Sequence, residues 1–292
     1  MSKSNAPFAR AVGLLVIEVV ASNPNGDPDR ESDPRHRPDG HGEISPVSFK
    51  RKVRDVVENK EGVAWRELAS QLNLKEEGFA ILESRGRDRK QIEKELKDGK
   101  FQAKYWDGRV FGNTFLEEGG PDTVKAGVVQ FGVGLSVAPV AIDRRTLTNK
   151  AGVEKDKDRG MAPLAFRVVQ HGVYVMPFFV NPNVAHKTGC TAEDIRLLLR
   201  VIPTGYDLNK SLVRPDVRMR HAWYVEHKHV LGSCSDFALI EALTPKRKED
   251  DPRAPSTCWD DYAVPTKLPE ALAAKVEPLR DLVEESHAAV RA

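Results

Sequence analysis

The stretch DRRTLTNKAGVEKDKDRG (143–160) is charged, lacks an apolar face, and separates two runs of a different character. Before it stands KAGVVQFGVGLSVAPVA (125–141) and after it LAFRVVQHGVYVMPFFVNP (164–182). Both are rich in the β-branched and aromatic residues that suit strands. A turn signal falls at Asn149 to Gly152. The reading is two consecutive strands with a hairpin-like arm between them that leaves the sheet. Working outward, AVGLLVIEVVA (11–21) predicts a buried first strand. In VSFKRKVRDVVE (47–58), Phe49, Val53, Val56 and Val57 recur at helical spacing, and Lys50, Arg51 and Arg54 fall side by side along the edge of that stripe. Residues 63–99 read as helices broken at Gly78 and Gly86, and 104–116 turn back toward the core. A second helix is expected over 191–201, with Thr191 as N-cap and Glu193 and Asp194 in the first turn. The segment 209–232 reads as a basic loop and a last strand, and 269–291 as a C-terminal amphipathic helix.

With the insertions set aside, the order is strand, helix, strand, strand, helix, strand. That is the βαββαβ order of the α+β ferredoxin-like fold, which is also the RRM fold. The 292 residues suit a single elaborated domain over 1–292. Lys and Arg number 45 against 43 Asp and Glu, so a nucleic-acid site must come from local clustering and not from global charge. Three scattered cysteines, Cys190, Cys234 and Cys258, argue against a disulfide framework and against a cysteine zinc site. A reduced cytoplasmic compartment fits them. No apolar run approaches the roughly 20 residues of a spanning helix, and the N-terminus reads without a signal peptide.

Several motifs fail on inspection. Asn23, Asn25, Asp27, Asp29 and Glu31 alternate like the start of a calcium loop. Pro28 stands where that loop needs Gly and Pro34 where it needs a bidentate Glu, so Asx and Pro residues shaping a turn is the better reading. His227 and His229 are two residues apart in an expected strand and share a face, but no third ligand accompanies them. Gly132 and Gly134 lack the third Gly and following helix of a dinucleotide site. Cys190 reads as inert packing. No metal or cofactor is expected. Three basic clusters remain: SFKRKVR (48–54), the arm with Arg144, Arg145, Lys150, Lys155, Lys157 and Arg159, and Lys210, Arg214, Arg218 and Arg220. The aromatic signature of ordinary RRMs is missing from both central strands, so bound RNA would be held by its backbone.

The same residues carry a resemblance. NPNGDPD (23–29) after the first strand, followed by ISPVSFKRKVRD (44–55), resembles the Cas-seven family of CRISPR Cascade backbone proteins, closest to the type I-C and I-B branches. KYWDGRVFG, GVVQFGVGLSVAPV, DRGMAPLAFRVVQHGVY, NKSLVRPDVRMRHAW and HKHVLGS follow in the same order as the family's blocks. The resemblance implies an RRM-like palm with a helical finger insertion at about 60–103 and a protruding thumb hairpin at about 140–165. It implies a non-catalytic subunit that polymerises head to tail along CRISPR RNA, which then pairs with target DNA. Its partners would be copies of itself, a Cas-five type cap, a large PAM-reading subunit and a small subunit, with no membrane. Carried over residue by residue, Ser45, Ser48, Lys50, Arg51 and Arg54 match the phosphate-holding loop and helix start. On the thumb, Arg144, Arg145 and Arg159 are phosphate contacts and Met161 a wedge beside a displaced base. Arg214 and Arg220 match basic positions beside the last strand. Two alternatives stay open: a type III-like subunit that cuts target RNA with Asp27 or Asp29, and a stand-alone RRM-like RNA binder.

Overall fold

The computed structural model describes residues 6–84, 90, 94–95, 98–112, 126–150, 161–248 and 253–291, with backbone alone at 148–150, 161–164, 290 and 291. The first strand, β1 (Ala11–Ser22), has both faces covered, and its first nine residues are all buried. This explains why its sequence is a continuous apolar run without polar alternation. The edge strand β2 (His41–Ile44), then β3 (Val129–Phe131), β4 (Gly134–Pro139), β5 (Ile142–Lys150), β6 (Met161–Val180), β7 (Val217–Glu226) and the two-residue β8 (Arg280–Asp281) complete the main sheet. Its order is β8-β7-β1-β6-β4-β2, with β3 and β5 also paired to β6. All these pairings are antiparallel.

The expected strand over 125–141 is broken into β3 and β4 at Gly132 and Val133. Gly132 N–H donates to Pro177 O at 2.8 Å, and a Cβ at 132 would come within 2.9 Å of the Pro177 ring. The close approach to a proline on β6 therefore both needs a glycine and interrupts the ladder. β6 runs for 20 residues. Its second half, Val169 to Val180, pairs with β1, and its first half pairs with β5 from Lys150↔Met161 to Ile142↔Val169. The arm expected from the sequence is thus a ladder continuous with the sheet.

Helices cover one face. α1 (Pro46–Glu58) buries Phe49, Val53, Val56 and Val57 against Leu15, Ile17 and Val19 of β1. The short α2 (Val63–Leu72) and the buried α3 (Trp106–Phe111) pack beside it. α4 (Ala192–Val201) begins with the expected cap: Asp194 N–H donates to Thr191 Oγ1, and Thr191 N–H donates to Asp194 Oδ2 at 2.8 Å. The opposite face is covered too. Leu239 and Leu243 of α5 (Asp236–Leu243), with Tyr262, Leu268 and Val276, pack on Val12, Leu14, Val16 and Trp223.

The expected C-terminal helix over 269–291 is corrected to a single turn at Glu270–Ala273, strand β8, and α6 (Leu282–Arg291). Pro278 supplies the reason, because it lacks an N–H and its ring clashes with the preceding helical turn. Of the expected helical breaks, Gly86 lies outside the described residues. No helix among the described residues is long and apolar enough to cross a membrane.

Candidate nucleic-acid interface

The loop after β1 is sewn to two other parts of the chain by its asparagines. Asn23 N–H donates to Val213 O at 2.7 Å, and Arg214 Nε donates to Asn23 O at 3.0 Å. Asn25 Oδ1 accepts from Ser45 N–H at 2.7 Å, which fixes the start of α1. Ser45 is the N-cap of that helix, and its hydroxyl oxygen accepts from Ser48 N–H at 3.2 Å. Within the loop, Asp27 accepts from Asp29 N–H at 3.2 Å and caps a short 3₁₀ turn that starts at Pro28. This is the turn-shaping role read for the Asx and Pro residues. The loop therefore brings the start of α1, the segment before β7 and the base of the arm to one end of the sheet. Between the loop, the base of the arm and the segment before β7 lies a cavity of about 390 Å³ lined by Asn23, Ser32, Phe166, Arg167, Val213 and Arg214.

The predicted cations divide sharply by what they touch. Lys50 is half-buried, its ammonium 5.2 Å from the Phe111 ring centroid, and it makes no ion pair among the described residues. Burial, followed by the positive charge of Arg54, pushes its pKa down, with Glu83 partly opposing. Arg51 pairs with Asp55 and Glu58 and donates to Glu83 O at 2.8 Å. Arg54 is 3% exposed. Its Nε donates to Asp107 Oδ2 at 2.9 Å and its Nη1 lies 3.0 Å from Glu83 Oε2. The same Asp107 carboxylate accepts from Leu82 N–H at 2.5 Å and Glu83 N–H at 3.1 Å. The three cations expected along one edge of α1 are thus corrected. One stays unpaired, one is tied to carboxylates on its own helix, and one is buried as a brace between α1 and α3.

On the arm, Arg144 and Arg145 are exposed and lie on opposite faces of the ladder, opposite Arg167 and Phe166. Arg159 lies outside the described residues, as does the Met161 side chain. The Met161 backbone pairs with Lys150 at the outer end of the ladder. Arg220 donates to the buried carboxylate of Glu18 at 2.8 Å and stacks on Trp259 at 4.9 Å. Arg218 pairs with Asp216 at 2.6 Å and reaches the same Glu18. Glu18 also accepts from His171, whose other ring nitrogen meets Ser256 Oγ at 2.7 Å. Burial opposes ionisation of Glu18, but His171 and Arg220 outweigh it and hold its pKa below the usual carboxylate range.

The two histidines expected to share a strand face do not. β7 ends at Glu226, His227 is buried against Asp236 at 2.8 Å, and His229 accepts from Leu231 N–H within a turn. Cys190 is buried, and burial pushes its thiol pKa up, in keeping with packing. Sequence reasoning missed Asn23 and Asn25 as the fasteners of the loop, and Arg167. The signal for Arg167 was a lone cation in an apolar strand run, opposite Arg144 once the hairpin register is drawn.

The family model described as CRISPR-associated protein Cas7 matches residues 9–267. The chain belongs to the Cas7 family. No curated protein matches this Cas7-family chain. Among solved structures, one titled "CRISPR RNA-guided surveillance complex, pre-nicking" is similar at 17% identity and a TM-score of 0.45, over 74% of this chain and 78% of that one. Another, titled "CRISPR RNA-guided surveillance complex", is similar at 17% identity and a TM-score of 0.40, over 82% and 77%. A chain of a type III-B Cmr-beta complex bound to cognate target RNA is similar at 12% identity and a TM-score of 0.43, over 75% and 61%.

Proposed function

We propose that this Cas7-family chain is the guide-RNA-binding backbone subunit of a type I CRISPR surveillance complex, without catalysis of its own. The observation that carries the reading is the family match over residues 9–267. The convergence of the loop after β1, the arm base and the segment before β7 on one cavity supports it. The strand order β7-β1-β6-β4, with α1 and α4 on one face, supports reading the palm as ferredoxin-like. Residues from about 60 to 103 form the finger, and the arm from about 140 to 165 forms the thumb. The face on which an ordinary RRM stacks bases is sealed by residues from α5 to Val276, so the RNA is held by its backbone.

The contacts we assign are Ser45, Ser48 and Lys50 at the start of α1, Arg144, Arg145 and Arg159 with Met161 on the thumb, and Arg214 before β7. Helix-start amides and hydroxyls suit phosphate oxygens. Arg51, Arg54 and Arg220 serve as scaffold, since carboxylates of the chain already hold them. The carboxylate of Asp27 is engaged in capping its turn, which speaks against a cutting role. Copies associate head to tail, a contact that does not close and so builds a filament along the CRISPR RNA. Target DNA then pairs with the guide, and a Cas-five type cap, a large PAM-reading subunit and a small subunit complete the assembly.

Light scattering after size exclusion, on the protein mixed with single-stranded RNAs of increasing length, tests this reading. The expected result is a bound mass that rises in regular steps with RNA length. One protein per RNA at every length, at low salt where phosphate contacts are strongest, would replace the filament with a stand-alone binder.

A further inference from the structure

Arg167 stands on β6 at the base of the arm and lines the cavity with Asn23, Ser32 and Arg214. It lies directly across the ladder from Arg144, so the two guanidinium-bearing residues share one face of the arm. Its partner is Asp33, which stands in the loop after β1 and reaches across to the arm. This pair differs from two arginine–carboxylate pairs that brace the core. Arg54 and Arg109 are clamped to Asp107 and Asp194, both of which are 1% exposed, so those pairs are closed to any ligand. Arg167 keeps 48% of its side chain exposed and Asp33 keeps 17%.

The loop is built to put a carboxylate there. Glu31 and Ser32, neither of them glycine, adopt φ values of 50° and 63° immediately before Asp33. Asn23 Nδ2 donates to Ser32 O at 2.7 Å and holds that turn in place. Left-handed backbone at two consecutive non-glycine residues is unfavourable and persists where surrounding contacts impose it, commonly at functional positions.

We propose that Arg167 is a further phosphate-binding residue of this interface, and that in the RNA-free chain Asp33 occupies the position a phosphodiester takes on binding. The inference rests on the reading of the chain as an RNA binder and names a residue and a gate within that site. A carboxylate and a phosphodiester offer the same guanidinium two acceptor oxygens in a plane, so one replaces the other without loss of geometry. With its guanidinium half exposed, the pair is held less firmly than the buried braces at Arg54 and Arg109, so the exchange is open to a ligand from solvent. The carboxylate repels incoming phosphate until the exchange occurs. Weak, single-contact encounters are thereby disfavoured, and RNA entry releases the arm from the loop.

The test is fluorescence anisotropy with a labelled oligouridine of fixed length, over a range of salt, on wild type, D33N, R167Q and the double variant. D33N is expected to bind about fivefold more tightly at low salt with the wild-type salt slope, because Arg167 neutralises the same phosphate in both complexes. R167Q is expected to bind more weakly with a shallower slope, and the double variant to match R167Q. D33S reads the same quantity if D33N fails to fold. Unchanged or weaker binding by folded D33N or D33S overturns the proposal. So does an equal gain from D33N in the R167Q background, which would make Asp33 a general repulsive charge. A wild-type protein that binds no RNA at any salt would instead overturn the reading on which the proposal rests.

Discussion

Arg54 separates a cation that braces the fold from one that holds a ligand, and replacing it with methionine distinguishes the two. The guanidinium is 4% exposed and its main partner, Asp107, 1%. R54M keeps the length of the side chain and removes the charge, which leaves a buried carboxylate without its counter-ion. Breaking a buried pair from one side costs about 3–5 kcal/mol. Asp107 retains two backbone donors, Leu82 N–H and Glu83 N–H, which places the expected loss toward about 3 kcal/mol. Against a total stability of roughly 5–15 kcal/mol that is a large share. With an m-value of about 3 kcal/mol/M, the urea midpoint should fall by about 1 M. Under conditions where R54M is folded, its RNA affinity and salt slope should match wild type. K50A should behave in the opposite way, with a nearly unchanged midpoint and a salt slope shallower by about 0.7. The reasoning fails if R54M unfolds at the wild-type midpoint and loses salt slope, because the guanidinium would then be reaching phosphate.

Two further perturbations test the scaffold. T191V removes the hydroxyl that caps α4 while keeping the side-chain shape, and urea unfolding should report a loss of about 1 kcal/mol. Lys60 donates to Phe79 O at 2.8 Å and lies 3.1 Å over the Trp65 ring, and burial pushes its ammonium pKa down to about 7 from 10.5, with Glu76 opposing. Between those values the unfolded chain binds more protons at this site than the folded one, so its contribution to stability rises with pH. Wild type should therefore gain stability relative to K60M as pH increases from about 7 toward 10.5, the range over which the folded amine is neutral and the unfolded one still holds its proton. Parallel stability curves for the two proteins would show that Lys60 stays charged in the fold.

What the sequence made legible was local. The stripe of Phe49, Val53, Val56 and Val57 gave α1, and Thr191 with Asp194 gave the start of α4, because both signals act within four residues. The flanks of the charged stretch 143–160 gave the arm. What escaped was set by distant partners. Arg54 meets Asp107 across 53 positions and Arg220 meets Glu18 across 202, so a helix edge or strand reads as basic whether its charges are free or already paired. Periodicity alone predicts too long a C-terminal helix, because it does not register that Pro278 bars a helix from running through 269–291. Residues from α5 to Val276 carry little periodic signal, and their role as a second layer on the sheet depends on Val12, Leu14, Val16, Val173 and Trp223 beneath them.

The length of β6 has a mechanical meaning. One unbroken strand serves as both a central member of the sheet and one rail of the arm. The nine paired positions from Ile142↔Val169 to Lys150↔Met161 make the described overhang about 27 Å at roughly 3.4 Å per residue. A beam anchored by hydrogen bonds over half its length behaves as a cantilever, with its direction set at the wall and not by a hinge. The Lys150–Met161 rung therefore stands at a fixed offset from the core, like the mark on a ruler. Copies laid end to end would repeat that offset identically, and any periodicity imposed on a bound strand would be written in the register of a single β-ladder.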